Sequence, residues 1–169
     1  MGKRRRRPSA RSARRSSRAA SLPEFPHDDP VVEKLLQGAY LARLAYIGLD
    51  DRPCVVPIWY AYLDGEFIMV TGPKADKVAA IEANSAVALT IDSDQPPYSV
   101  LLVDGDATVE TTEGMAEEYP DIVQRYLGGA AEAYLSGMRE RVREQRRIRV
   151  VPRSWRVLDF VKRYPKSLR

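Results

Sequence analysis

Apolar and polar positions change period several times along this chain, and each change marks an element. Asp29-Pro30 opens a segment in which Val31, Leu35 and Ala39 recur about one turn apart. An N-cap aspartate followed by a first-turn proline predicts a short helix there, packed across one end of the fold. From Leu41 the runs become strand-like: Ala42–Leu49, Cys54–Leu63 and Glu66–Thr71, separated by Asp50-Asp51-Arg52-Pro53 and by Asp64-Gly65. The Asp-Gly pair between aromatic and β-branched residues is a tight hairpin signal, so the three runs predict a meander.

Helical spacing returns over Lys74–Ala83, where Ala75, Val78, Ala79 and Ile81 mark one face and Asn84 can end the helix. Strands resume at Ala86–Ile91 and Ser99–Glu110, with Gln95-Pro96-Pro97 forcing an extended break between them and Gly105 marking a bulge. Tyr119, Ile122, Val123 and Tyr126 then share one helical face. Beyond Gly128-Gly129, Ala131, Tyr134, Leu135, Met138 and Val142 share another. Short strands at Arg147–Val151 and Trp155–Phe160, parted by Pro152, close the pattern. No internal repeat is visible.

Charge divides the chain in two. Nine of the 27 lysines and arginines lie between Lys3 and Arg18, ahead of the first acidic residue at Glu24; the other 18 face 23 acidic residues, a balance of −5. Residues 1–28 read as a disordered basic tail, too poor in apolar side chains to offset the entropy of ordering. The acidic remainder argues against a nucleic-acid face, and the tail has no interleaved aromatics for base stacking. One cysteine, Cys54, excludes an internal disulfide. One histidine, His27, in the approach to the domain excludes Cys/His zinc sites and serine triads within the chain. Arg125-Tyr126 and the Arg139–Arg149 cluster read as a solvated helix face paired with Glu132, Glu140 and Glu144. No apolar run is long enough for a membrane span, and the expectation is a cytoplasmic protein.

Two stretches carry chemistry. In Val55-Val56-Pro57-Ile58-Trp59 a proline interrupts a β-branched run and leaves a position that cannot donate in a ladder; the stretch reads either as an apolar wall for a planar ring or as a plain edge strand. In Thr71-Gly72-Pro73-Lys74-Ala75-Asp76-Lys77 a strand ends in a turn and opens a helix. Amides at a helix N-terminus, the Thr71 hydroxyl and a first-turn lysine make a phosphate site, with Lys77 the central cation.

The string RLAYIGLDDRPCVVPIWYAYLDGEFIMVTGPKADKVAAIEANSAVALTID, followed by VLLVDGDATVE, resembles the pyridoxamine 5′-phosphate oxidase-like superfamily, and more narrowly its bacterial flavin- or deazaflavin-dependent oxidoreductases. The closing WRVLDFVKRYPKSL is similar to the end of some members. The resemblance implies a mainly β domain over residues 29–169: a six-stranded antiparallel split β-barrel with flanking helices, forming a homodimer with two cofactor sites at its interface. It places the family's phosphate-binding lysine on Lys77 beside the turn Thr71–Lys74, and the strand along the isoalloxazine on Val55–Trp59. The second subunit is expected to contribute its strands Ser99–Leu101 and Trp155–Arg156. The implied cofactor is FMN or, alternatively, coenzyme F-420, a deazaflavin. The implied activity is hydride transfer to or from a small organic substrate, with no side-chain catalytic residue and no metal. A non-catalytic carrier or sensor of flavin, deazaflavin or haem is the alternative. Two positions depart from the pattern: Asp76 stands where the oxidases often carry arginine, and Asp104 where similar sequences often carry a basic residue. Together with the lack of an arginine and histidine pair near the C-terminus, they disfavour true pyridoxamine-phosphate oxidation.

Overall fold

The structure is a computed structural model and describes residues 25–160 together with residue 162. The basic tail expected over residues 1–28 therefore lies mostly outside the described residues. Its last part does not: Phe25 stacks on Tyr62 at 5.0 Å and packs on Trp155 at 5.2 Å, while His27 sits 5.1 Å from the Phe25 ring.

Helix α1, Pro30–Gln37, begins where its cap predicts. The Asp29 carboxylate accepts from the backbone N–H groups of Val31 (2.8 Å) and Val32 (3.4 Å). Val32 and Leu35 are fully buried, each contributing about 1.5–3 kcal/mol of transfer free energy. Strand β1, Ala42–Ile47, turns through Asp51 at positive φ into β2, Pro53–Ile58. A tight turn with positive φ at Asp64 and Gly65 joins β3, Ala61–Leu63, to β4, Glu66–Thr71, as the Asp-Gly pair requires. Then follow α2, Asp76–Ala83, ended at Asn84, and the strands β5, Ala86–Asp92, and β6, Ser99–Glu113. After β6 come α3, Tyr119–Leu127, a 3₁₀ turn at Gly128–Ala130 and α4, Ala131–Arg139, before the last strand β7, Glu144–Asp159.

All seven strands join one antiparallel sheet in the order β2-β1-β5-β6-β7-β4-β3. The edges β2 and β3 share no ladder, so the mainly β architecture is that of a split barrel. Seven strands stand where the resemblance implied six, and the predicted run Cys54–Leu63 breaks in two at Trp59-Tyr60. There Tyr60 N–H leaves the ladder and donates to the Tyr126 hydroxyl (3.4 Å). The predicted meander is also corrected: β2 pairs only with β1, and β4 crosses over to β7. At the other end, the two predicted strands around Pro152 are one. The ladder shifts register between Asp104 and Gly105, and Gly105 lies opposite Pro152, so the bulge absorbs the missing N–H. A Cβ on Gly105 would stand 2.6 Å from the Val151 carbonyl oxygen, so only glycine fits.

Leu44, Phe67, Met69, Leu89, Ile91, Leu101, Ile148 and Val150 fill the barrel. A second, smaller core of Ala116, Tyr119, Val123, Ala131 and Leu135 lies under α3 and α4 and meets Trp59 and Val70 of the barrel. These helices occupy residues 114–143, an insertion whose ends are held together because Glu113 pairs with Glu144.

Arg125 and Tyr126 fix the insertion to the barrel, a correction to their reading as a solvated face. The Arg125 guanidinium donates to the carbonyls of Leu36 (2.8 Å) and Tyr60 (2.5 Å) and lies 4.6 Å over the Tyr60 ring. Tyr126 donates to the Tyr40 carbonyl (2.6 Å). The backbone carbonyls at the end of α1 and around the β2–β3 break need donors, and α3 supplies them. The basic cluster is likewise redistributed. Arg139 pairs with Glu132, but Arg147 and Arg149 belong to β7: Arg147 reaches Glu118 at the start of α3, and Arg149 reaches across to Glu66 of β4. Among the described residues, no helix is long and apolar enough to cross a membrane.

Candidate functional site

The two stretches singled out in the sequence meet where β2 ends and α2 begins. A cleft of about 450 Å³ is lined by Pro57, Ile58 and Trp59 from the end of β2, Val70 and Thr71 from the end of β4, Lys77 from α2, and Leu41. Its far side comes from the insertion: Tyr119, Ile122 and Tyr134.

The α2 end of this cleft combines an uncapped helix start with one lysine, next to the acidic Asp76. Ala75 occupies the N-cap position and no side chain caps the helix, so the first-turn amides lack the usual side-chain acceptor. Lys77 is half-buried and has no carboxylate within ion-pairing distance among the described residues. Burial pulls its ammonium below the ordinary lysine range, partly countered by the neighbouring Asp76. An uncapped helix start and an uncompensated lysine side by side suit a phosphate.

The opposite end is aromatic. Trp59 stacks on Tyr126 with centroids 5.1 Å apart and planes 9° from parallel, and meets the Tyr134 ring edge-on at 6.2 Å. The hydroxyls of Tyr119 and Tyr134 lie 3.0 Å apart. Burial, then this hydrogen bond, push the Tyr119 phenol upward, so it stays protonated at neutral pH.

Strand alternation separates the remaining expected residues. Val56 and Ile58 turn toward the barrel core, whereas Val55 and Pro57 are exposed on the outer face, Val55 by 64%. Pro57 lies on an edge strand, where its missing N–H costs nothing. Beyond Thr71 the chain makes a turn in which Ala75 N–H donates to Gly72 C=O (3.3 Å), and a Cβ at Gly72 would meet nothing within 4 Å. Pro73 and Lys74 look into a second cleft of about 640 Å³ on the other side of the α2 start, with Tyr46, Cys54 and Arg146. Ser99 and Leu101, expected to serve a second subunit, are buried within their own chain, and Trp155 packs on Phe25. Asp104 accepts from Ser154 (2.7 Å) and Asp106 pairs with Arg153, so both carboxylates already have partners. No cluster of metal ligands occurs among the described residues.

Sequence reasoning missed the cleft's far wall. Tyr119 and Tyr134 read as apolar helix faces, yet a phenol on such a face must find a hydrogen-bond partner, and that demand was the available signal.

The family model for pyridoxamine 5′-phosphate oxidase matches residues 29–158. Among solved structures, an F-420 reductase is 25% identical with a TM-score of 0.58, the match covering 73% of this chain and 94% of that one. A conserved hypothetical protein from Mycobacterium tuberculosis is 20% identical with a TM-score of 0.63, covering 86% and 92%. General Stress Protein 26 from Bacillus anthracis is 16% identical with a TM-score of 0.58, covering 78% and 94%. A search of curated proteins finds no match.

Proposed function

The chain belongs to the pyridoxamine 5′-phosphate oxidase family, and on that premise we propose that it is an oxidoreductase that holds FMN or coenzyme F-420 in the cleft between β2, β4, α2 and the insertion. The observation that carries this reading is the position of Lys77. It lies uncompensated at an uncapped helix start, in the same cleft as Pro57 and Trp59. The F-420 reductase neighbour supports the deazaflavin as the alternative to FMN.

When bound, such a cofactor accepts and donates hydride, so the protein's part is position and electrostatics. Lys77 and the first-turn amides of α2 neutralise the phosphate and Thr71 adds a hydroxyl donor, while the Gly72-Pro73-Lys74 turn joins the two from outside the cleft. Pro57, Ile58 and Trp59 supply the wall for the ring, and the stack of Trp59 on Tyr126 holds that wall rigid. The apolar, outward Val55 on the β2 edge strand supports a second copy of the chain completing each site.

Titration of the purified protein with FMN and with F-420, followed by fluorescence, tests the reading. Saturable binding of either one, weakened on substitution of Lys77, supports it; no binding of either refutes it. Reduction of a small unsaturated ketone or quinone by the loaded protein then separates an enzyme from a carrier.

A further inference from the structure

The cleft contains two phenols and one hydrogen bond between them. Tyr119 and Tyr134 lie with their hydroxyl oxygens 3.0 Å apart, and either can be the donor. Two O–H groups with one mutual bond leave one O–H proton uncommitted, and among the described residues no other acceptor bonds to either hydroxyl. Both rings line the cleft opposite Lys77, with the Tyr134 ring edge-on to Trp59. Tyr119 is held in place by burial, 8% exposed, whereas Tyr134 is 38% exposed and closer to solvent. A donor left over in the cleft is a specificity device, because a ligand that displaces water from it and brings no acceptor leaves it unsatisfied.

We propose that the Tyr119–Tyr134 hydroxyl pair selects the substrate, donating its uncommitted O–H to a carbonyl-type oxygen such as that of a quinone or an unsaturated ketone. This rests on the cofactor reading above. Tyr119 orients Tyr134, and Tyr134 makes the contact. Burial keeps the Tyr119 proton in place across the neutral range. Substrates of matching shape that lack an acceptor oxygen are rejected by the same pair.

The test uses oxidised protein loaded with whichever cofactor it binds, so that no turnover occurs. Affinity for menadione, a naphthoquinone, is read by quenching of tryptophan fluorescence and compared with 1,4-dimethylnaphthalene, which lacks the oxygens. Tyr134→Phe is expected to weaken menadione binding by about three- to tenfold, the range for one neutral hydrogen bond, while affinity for the hydrocarbon holds or rises because no donor is left unsatisfied. Tyr119→Phe, which removes the orienting hydroxyl but leaves the Tyr134 donor, is expected to give a smaller loss of menadione affinity. Equal losses for quinone and hydrocarbon, no loss for either, or a loss confined to the cofactor overturns the inference. A protein that binds neither FMN nor F-420 in the first titration fails the cofactor reading instead, and the two failures are thereby distinct.

Discussion

Replacing Lys77 by methionine should move ligand affinity and stability in opposite directions. The side chain is half-buried, has no carboxylate within ion-pairing distance, and burial holds its ammonium below the ordinary lysine range. In the unfolded chain the amine is solvated and binds its proton more tightly. Between the lowered and the ordinary pKa the unfolded state therefore holds more protons, and stability rises with pH through that window. Below it, at neutral pH, the cost of burying the charge is fully present. Lys77→Met removes that cost, so the ligand-free variant should melt above the wild type at pH 7. The same change deletes one charge-assisted bond to a phosphate, worth about 1.5–3 kcal/mol, or roughly ten- to a hundredfold in Kd. The loss is partial because the α2 amides and Thr71 remain. In the wild type, affinity should fall as pH rises through the Lys77 pKa, and this dependence should vanish in the variant. Differential scanning fluorimetry without ligand and fluorescence titration with FMN and F-420 read both halves. Wild-type affinity in the variant, or a lower melting temperature without ligand, would refute the reasoning.

Arg125→Met should destabilise the fold by about 2–4 kcal/mol in urea, since the carbonyls of Leu36 and Tyr60 lose charged donors; a change below about 0.5 kcal/mol would show that water replaces them. Gly105→Ala should cost about 1–3 kcal/mol in urea melts, because its Cβ would press on a backbone oxygen that cannot yield, whereas Gly72→Ala, whose Cβ meets nothing, should be neutral for folding within about 0.5 kcal/mol. Light scattering should report a dimer for the wild type, and Val55→Asp, which puts a charge on the exposed apolar edge, should halve the mass; a monomeric wild type would end that part of the proposal.

The elements written in local chemistry were legible. Asp29-Pro30 set the start of α1, Asp64-Gly65 made the hairpin, and Gly105 made the bulge, since each needs only its neighbours in sequence. Strand order was not legible, because β4 pairs with β7 about 80 residues away and nothing local to Glu66–Thr71 states that choice. Merging the last two strands required knowing that Pro152 would lie opposite Gly105. The candidate site divides the same way. The stretch Thr71–Lys77 suggests the proposed phosphate anchor by its own composition, a strand end, a turn and a first-turn lysine. The wall of Tyr119 and Tyr134 comes from helices whose docking depends on Arg125 finding carbonyls in two distant segments.

The pairing of Glu113 with Glu144 pins both ends of residues 114–143 to the barrel. Because the entropy of closing a loop grows only slowly with its length, the ladder by itself leaves the position of the segment between those ends almost unspecified. The contacts of Arg125 and Tyr126 with the barrel carbonyls supply that position. The α2 side of the cleft is therefore set by the framework, whereas its tyrosine side stands only as firmly as two side chains hold it.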